Sequence, residues 1–249
     1  MIRFASSRTA LAPALAALIA VGSAHAVIVL NNGDNVNLGT LMANGSDRTV
    51  IVNDKMFVFE SFTSSQFDAN LFSVIGFVSA STNQFGQRNT GFDLTGPFGD
   101  GTLGDNLVHE LNLQYSVSVL PEWYARGVRL CDARLTFNGS SGGDGSFSRV
   151  DETVWDLDQN RFLGQLAAYY NAGTPDNVKL VDSMDFCDIH GSQGYRAFEV
   201  NKDLKFFAAH DNDFATASFV RQEFSQIPAP GAAALIGLAT TLAARRRRA

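Results

Sequence analysis

The sequence predicts an all-β fold, an antiparallel β-sandwich with jelly-roll or Greek-key connections and about ten or eleven strands. Three observations predict it. The 20 Phe residues recur with Val and Thr in short runs, and clusters of Gly, Asn, Asp and Ser separate these runs. One segment, Leu111 to Val119, alternates strictly between apolar and polar residues, as a strand with one buried face does. An N-terminal signal helix and a short C-terminal hydrophobic helix are expected in addition to the strands.

The first part of the body contains short strands joined by turns. Residues Asn31 to Asp34 form a turn, and Leu38 to Ala43 form either one helical turn or an irregular loop. The expected strands are Val27–Leu30, Thr49–Val52, Lys55–Phe62 and Leu71–Val78.

The stretch Ser79 to Asp105 is dominated by Gly, Asn, Asp, Thr and Ser. These residues favour turns, so the stretch is predicted to be mostly loop, with one short strand at Gly91–Leu94.

The alternating strand Leu111–Val119 ends at Pro121, which cannot donate a ladder hydrogen bond. The apolar phase of the next segment shifts between Val128–Leu130 and Ala133–Phe137. A β-bulge at Cys131–Asp132 would account for that shift.

The remaining strands follow the turn that begins at Asn138–Gly139. Phe162–Tyr169 fits a strand but also has helical spacing, and we assign it as a strand. The other extended segments are Phe147–Leu157, Val178–Ile189, Phe198–Ala208 and Ala215–Phe224.

The N-terminus has the three parts of a secretory signal peptide. Arg3 and Arg8 precede the apolar run Ala10–Val21, and Ala24 and Ala26 form a small-x-small cleavage site. The alternative is a membrane anchor, but the run has about 12 residues where a span needs about 20. Cleavage after Ala26 is expected, so residues 1–26 are the signal peptide.

Residues 27–227 form the body, predicted to be a single β-sandwich domain. Of the 19 basic residues, two lie in the leader and four in the tail, so 13 remain against 25 acidic ones, a net charge of −12. Such an acidic surface disfavours nucleic acid and anionic membranes as partners and leaves cations as candidate ligands.

Residues 228–249 form a three-part tail. Pro228 and Pro230 precede the uncharged run Gly231–Ala244. As a helix the run spans about 21 Å against about 30 Å of hydrocarbon. It therefore suits a transient inner-membrane anchor with basic residues on the cytoplasmic side. The alternative is a polybasic tail on an ordinary soluble protein. The basic residues that follow the run are Arg245, Arg246, Arg247 and Arg248.

This order of Pro-x-Pro, short apolar helix and Arg cluster, behind a signal peptide, resembles the PEP-CTERM sorting signal. Ala229 stands where that family has Glu. The resemblance implies an exosortase-type transpeptidase as a partner, after the export machinery and signal peptidase. It also implies cleavage near the Pro-x-Pro and release to the cell envelope or extracellular matrix. The body is similar to β-rich domains of such proteins, which have no assigned activity.

Export places Cys131 and Cys187 in an oxidising compartment, so they are candidates for a single disulfide. The alternative is two buried free thiols. Their separation does not indicate a metal site.

No cofactor is expected, apart from weak candidates for a structural Ca²⁺. Two acidic loops supply oxygen ligands, and solvated turns have the same composition. After loss of His25, the remaining histidines are isolated in sequence and give no local metal signal. The calcium candidates are Asp100, Asp105, Asp211 and Asp213.

The predicted function is that of a non-catalytic exported protein of the envelope or matrix. A lectin-like module is the alternative, with Trp123 and Tyr124 contacting an exopolysaccharide and Trp155 in the core. A glycan-active enzyme is less favoured, because only strand alignment could pair its carboxylates. The candidates for such a pair are Glu60, Glu110, Glu152 and Glu199.

Overall fold

The computed structural model describes residues 27–43, 47–64, 66–82, 88–100, 105–173 and 177–228. The predicted cleavage site at Ala24 and Ala26 lies outside these residues, as does Pro230 of the tail. The four arginines of the predicted basic cluster also lie outside them, namely Arg245, Arg246, Arg247 and Arg248. Within the described residues, no helix has the length and apolar character needed to span a bilayer.

The described residues form 17 strands, three short α-helices and one 3₁₀ helix. The helices are α1 (Leu38–Met42), α2 (Pro121–Ala125), α3 (Phe186–His190) and the 3₁₀ turn Ala69–Leu71. The strands, in chain order, are β1 (Ile28–Leu30), β2 (Asn35–Asn37), β3 (Thr49–Val52), β4 (Lys55–Ser64), β5 (Ser73–Thr82), β6 (Arg88–Gly99), β7 (His109–Val119), β8 (Val128–Leu130), β9 (Asp132–Phe137), β10 (Ser140–Gly142), β11 (Phe147–Asp156), β12 (Arg161–Asn171), β13 (Val178–Lys179), β14 (Val181–Asp185), β15 (Ala197–Phe207), β16 (Phe214–Phe224) and β17 (Gln226–Pro228).

Two sheets pack face to face as a β-sandwich. The eight-stranded sheet has the order β1-β3-β4-β7-β15-β11-β12-β13. The seven-stranded sheet has the order β14-β9-β16-β6-β5-β2, with β10 also paired to β16. Pairing is antiparallel except between β1 and β3, and β8 and β17 form a separate two-stranded ribbon.

The core lies between the two sheets and is rich in aromatic rings. Phe57, Phe59 and Tyr115 from the eight-stranded sheet meet Phe92 from the other, with ring centroids 5.1–5.4 Å apart across the interface. Such offset and edge-on ring pairs stabilise a core beyond the burial of their area. The abundance of Phe therefore reflects the facing layers of a sandwich.

The alternation of Leu111–Val119 is confirmed, because apolar residues of β7 are buried and the polar ones between them are partly exposed. Phe162–Tyr169 lies within strand β12, as assigned. Leu38–Met42 is a helical turn, whose first turn is capped by the Asn37 side chain accepting a hydrogen bond from the Thr40 amide (3.1 Å).

The prediction of a loop across Ser79–Asp105 was wrong for most of that stretch. β5 continues to Thr82, and β6 runs over 12 residues. Close approach requires glycine in β6: a Cβ at Gly91 would lie 1.7 Å from the Gln222 carbonyl oxygen. Glycine there indicates backbone contact within a sheet, not a turn.

The predicted bulge at Cys131–Asp132 was also wrong, because the strand breaks there. Residues before the break, in β8, pair with β17, and residues after it, in β9, join the seven-stranded sheet. The phase shift in the sequence therefore marks a change of sheet. Strand β17 itself was not predicted.

The extended segment expected at Val178–Ile189 ends early. It forms β13 and β14 and then turns into α3, which Asp185 caps by accepting a hydrogen bond from the Asp188 amide (2.9 Å). Gly191 ends the helix in a left-handed conformation, with φ of 60°.

Candidate functional site

The outer face of the eight-stranded sheet is the largest set of aligned polar side chains that we find in the described residues. It follows directly from strand periodicity: β7, β15 and β11 place mainly apolar residues inward and mainly polar residues outward. We call this outer surface of β7, β15, β11 and β12 the polar face.

Strand register arranges these side chains in rows across the sheet, since directly opposite residues share a face. One row contains Gln114, Asn201, Thr153 and Gln165, and the next contains Asn112, Asp203 and Asp151. The rows therefore present amides and carboxylates side by side, which supplies both hydrogen-bond donors and acceptors.

A shallow groove of about 420 Å³ crosses the polar face. A second groove of about 400 Å³ continues from it over β4, and Asn112 lines both. The first groove is lined by Asn112, Arg149, Asp151, Thr153, Gln165, Asn201, Asp203 and Lys205.

Exposed aromatic rings flank the groove. Trp155 (37% exposed) and Phe162 (47% exposed) pack edge to face with centroids 5.4 Å apart, opposite each other in the β11–β12 register. Tyr169 lies along β12 from Phe162, beneath the Arg149 guanidinium at 5.7 Å. Trp155 was predicted to be in the core, and that prediction was wrong: it faces outward.

Charges on the polar face are mostly paired. Arg149 forms a two-point contact with Asp151 (2.6 and 2.7 Å), and this hydrogen bonding raises the pKa of the arginine. Lys205 contacts Asp203 and lies 3.5 Å from Glu110. Desolvation raises the pKa of Asp203, and the neighbouring Glu110 raises it further. Asp203 Oδ1 is buried and lacks a hydrogen-bond partner among the described residues.

The predicted glycan contacts, Trp123 and Tyr124, do not form an exposed platform. Both lie in α2, are half-buried and pack against the core. Each ring is also covered by a guanidinium, Arg126 over Trp123 (5.2 Å) and Arg129 over Tyr124 (3.5 Å). Pro121 begins this helix as well as ending β7, and that brings both rings back onto the sandwich.

Of the four predicted calcium ligands, the structure brings Asp100 and Asp105 together and adds a residue that the sequence analysis missed. His109 Nε2 lies 3.5 Å from Asp100 Oδ1 and 3.9 Å from Asp105 Oδ2, while its Nδ1 lies 3.3 Å from the Gly99 carbonyl oxygen. The three side chains offer one nitrogen and two carboxylates within 4.8 Å of one another. No spacing motif reveals this grouping, because it depends on the end of β6 lying beside the start of β7.

The other two calcium candidates do not join a comparable cluster within the described residues. Asp213 accepts hydrogen bonds from Ser146 Oγ (3.0 Å) and contacts His210 Nδ1 (2.9 Å), and this bonding lowers its pKa. Asp211 is exposed. The hydrogen bonds of Asp213 therefore account for the conformation of this loop.

Cys131 and Cys187 form the expected disulfide, with Cα atoms 5.2 Å apart. It joins the break between β8 and β9 to α3. Glu152 and Glu199, two of the candidate catalytic residues, lie on opposite sides of the sheet, Glu152 in the core and Glu199 hydrogen-bonded outside to Gln114 Nε2 (2.8 Å). They cannot act together across one cleft.

No family model matches the chain, and no curated protein matches it. Solved structures with distant similarity include a chain of a glycosylation-associated protein complex from Streptococcus agalactiae (10% identity, TM-score 0.27, 69% of this chain and 26% of that one). This chain thus spans about a quarter of that protein. A thermostable cellulase derived from Rhodothermus marinus has 12% identity and a TM-score of 0.24, over 70% of this chain and 99% of that one. A family 11 carbohydrate-binding module from Clostridium thermocellum has 9% identity and a TM-score of 0.18, over 65% and 86%.

Proposed function

We propose that this is an exported, non-catalytic protein of the envelope or matrix whose polar face binds a polysaccharide chain. One observation carries the proposal: rows of amides and carboxylates cross three neighbouring strands, and the exposed rings of Trp155 and Phe162 flank them. The lectin-like alternative from the sequence is therefore retained, at a different place on the surface.

The chemistry of the polar face suits sugar hydroxyls. A hydroxyl donates one hydrogen bond and accepts others, and the side-chain amides of Gln114, Asn201 and Gln165 do both. Aromatic rings supply an apolar surface on which the C–H faces of a sugar ring can pack. The grooves run across several strands, which suits a chain longer than a single sugar unit.

The charge of the body narrows the ligand class. With a net charge of −12, the body repels anionic polymers. The polar face itself carries four carboxylates against two cations, Arg149 and Lys205; the carboxylates are Glu110, Asp151, Glu199 and Asp203. A neutral polysaccharide is therefore the ligand class that this surface favours.

The arrangement of carboxylates supports a binding role over hydrolysis. Asp203 and Glu110 both contact the Lys205 ammonium, at 2.5 and 3.5 Å. Glycoside hydrolysis requires two carboxyl groups about 5–9.5 Å apart, on either side of the bond that is cleaved. The two carboxylates are instead held by one ammonium on the same face of the sheet, which suits binding.

Sorting belongs to the same proposal. The signal peptide directs export, and the tail provides a transient inner-membrane anchor that an exosortase-type transpeptidase recognises at Pro228 and Pro230 before release. The Cys131–Cys187 disulfide supports an oxidising, extracytoplasmic location. We also assign the sandwich to the jelly-roll or Greek-key class, because β7 pairs with β4 and β15, strands far apart in the chain.

The test is affinity electrophoresis of the body in gels containing neutral or anionic polysaccharides. Trp155→Ala and Asn201→Ala should each weaken binding to a neutral polysaccharide at least about tenfold, equivalent to about 1.4 kcal/mol. Phe214→Ala is the matched control, since Phe214 is as exposed as Phe162 (47%) but lies on the other sheet. Binding that is unchanged in both variants, or lost equally in the control, would overturn the assignment of this face.

A further inference from the structure

A cluster of polar side chains lies in the middle of the sandwich core. Glu152 on β11 and Lys202 on β15 are direct cross-strand partners, and Gln222 reaches them from β16 in the opposite sheet. All three residues are fully buried, as is the neighbouring Tyr115. We call Glu152, Lys202 and Gln222 the buried triad.

In the buried triad, the Lys202 amine lies beside the side-chain carboxamide of Gln222. Lys202 Nζ lies 2.8 Å from Gln222 Oε1 and also contacts Glu152 Oε2. Both neighbours are fixed in position, because each sits in the interior of a long strand. Lys202 Nζ donates this hydrogen bond to Gln222 Oε1, so the amine is held beside the carbonyl group that it would attack.

Burial also favours the reactive form of the amine. Desolvation lowers the pKa of Lys202, and the contact with Glu152 only partly opposes it. Transfer of the lysine proton to Glu152 converts two buried charges into two neutral groups, which the burial of both side chains favours. A neutral amine is the nucleophilic form of lysine.

Three polar atoms at this site lack hydrogen-bond partners within the described part of the chain. They are Glu152 Oε1, Gln222 Nε2 and the Tyr115 hydroxyl. Buried polar atoms are normally paired, and a buried ion pair is stable only when its remaining polar atoms are satisfied. The second buried lysine differs: Lys55 lies 2.9 Å from Gln226 Oε1 and 3.2 Å from Asp54, with no such orphaned atom beside it in the described structure.

We propose that Lys202 and Gln222 form an intramolecular isopeptide bond, with Glu152 transferring the proton. This inference is independent of the polysaccharide proposal. It assigns the triad as a self-modification site that joins the two sheets covalently.

The reaction balances without an external reagent. Lys202 Nζ attacks Gln222 Cδ, so a new C–N bond forms and the carbonyl passes through a tetrahedral intermediate. Glu152 carries the proton released from Nζ to Nε2 of the glutamine. The bond from Cδ to Nε2 then breaks, the carbonyl is restored, and one molecule of ammonia leaves. The proton that Glu152 first took from Lys202 leaves with the ammonia as ammonium, so Glu152 returns to its carboxylate form.

The bond would link β15 to β16, at positions 20 residues apart, across the interface between the sheets. It replaces a buried ammonium and a primary amide by one neutral secondary amide. An exported protein gains from this a core that cannot separate when a protease or a denaturant opens it transiently.

The experiment is a peptide map of the secreted wild-type protein, unfolded, reduced and digested with chymotrypsin. This enzyme leaves Lys202 within residues 199–204 and Gln222 within residues 220–224, so Gln222 is not at a peptide N-terminus where it could cyclise by itself. We expect one branched peptide containing both segments, lighter than their sum by about 17 Da for the lost ammonia. An unmodified Lys202 amine and an unmodified Gln222 amide in the folded protein would overturn the proposal.

Glu152→Gln tests the proton-transfer role, because it keeps the shape of the side chain. The branched peptide should fall to trace amounts in this variant, while near-ultraviolet circular dichroism reports whether the core is intact. A folded variant that is cross-linked as fully as the wild type would contradict the role of Glu152. If the variant does not fold, the wild-type map alone decides.

Discussion

At the scale of single residues, neighbouring side chains of one strand can belong to two different sites. On β15, Asn201 and Asp203 face the polar surface, while Lys202 between them lies in the core. The alternation of Phe198, Val200, Leu204 and Phe206 places Lys202 on the apolar face, but the sequence does not identify the partner that it meets there. Its buried partner, Glu152, lies on β11, where charged residues alternate with apolar ones. That pattern predicts that the charged residues face solvent. Only the cross-strand register identifies the pair.

The carboxyl of Asp132 provides a test at this scale. Desolvation raises its pKa, although hydrogen bonds from Ser225 oppose the shift. Between the ordinary value of 3.8 and the raised folded value, the folded protein keeps a proton that the unfolded chain has released. This group's contribution to stability therefore falls as pH rises through that window.

We expect Asp132→Asn to remove this decline. Urea unfolding of wild type and variant from about pH 4 to about pH 7 measures it, as the difference between their unfolding free energies. The wild type should lose stability relative to the variant as pH rises. A difference that does not change with pH, or that changes in the opposite direction, would contradict the assignment.

At the scale of elements, strands with buried alternation could be predicted from the sequence, whereas the full length of the glycine-rich strand β6 could not. β7 was recognised from its period of two. Of β6, only Gly91–Leu94 is predicted as a strand and the rest as loop, because glycine is frequent both in turns and where two backbones approach closely. Nothing in a single sequence separates these causes. Similarly, the break at Cys131 resembles a bulge until the two halves are seen to pair with different partners.

Gly91→Ala tests the close approach of β6 and β16. The added Cβ would lie 1.7 Å from the Gln222 carbonyl oxygen, a backbone atom that cannot move alone. We expect a loss of about 1–3 kcal/mol in unfolding free energy by urea denaturation. Gly164→Ala is the control, because its Cβ would meet the flexible Met184 side chain and should cost less. Equal losses would argue against backbone contact as the cause.

The disulfide is a second test at the level of elements. Its cysteines are 56 residues apart, at the β8–β9 break and in α3. Replacing both cysteines by alanine should lower the unfolding free energy by about 2–4 kcal/mol, mainly by freeing the unfolded chain. Thermal unfolding with and without reductant gives an independent measure. A double variant as stable as the oxidised wild type would show that the bridge does not constrain folding.

At the scale of the whole molecule, the sandwich class and the disulfide could be predicted from sequence, whereas the candidate site could not. The polar face forms because β7, β15, β11 and β12 lie side by side in the sheet. The sequence of a single strand does not reveal which strands are its neighbours. Trp155 lies in a strand rich in apolar residues and was assigned to the core for that reason. Trp123 and Tyr124 follow a proline and were assigned to an exposed turn. The strand register instead places Trp155 on the outside, and the packing of α2 places Trp123 and Tyr124 against the core.

The tail gives a prediction for the complete chain. Replacing the four arginines, Arg245, Arg246, Arg247 and Arg248, by alanine should move newly exported protein from the membrane fraction to the soluble fraction. Without these arginines, no positive charge on the cytoplasmic side retains the short apolar run in the membrane. Intact mass of released wild-type protein should show an end near Pro230. A full-length tail on released protein, or unchanged fractionation of the variant, would contradict the sorting proposal.

Strand β17 also determines how the molecule bears force. It ends at Pro228, where the tail begins, so tension applied through an anchored tail enters the body at this strand. The strand is held by β8 on one side, and the Gln226 side chain is held by Lys55 on β4, 171 residues earlier in the chain. A force applied at the C-terminal end is therefore transmitted directly to β4, a strand near the N-terminal end of the body. A tethered molecule that is pulled should resist fraying from its attachment point.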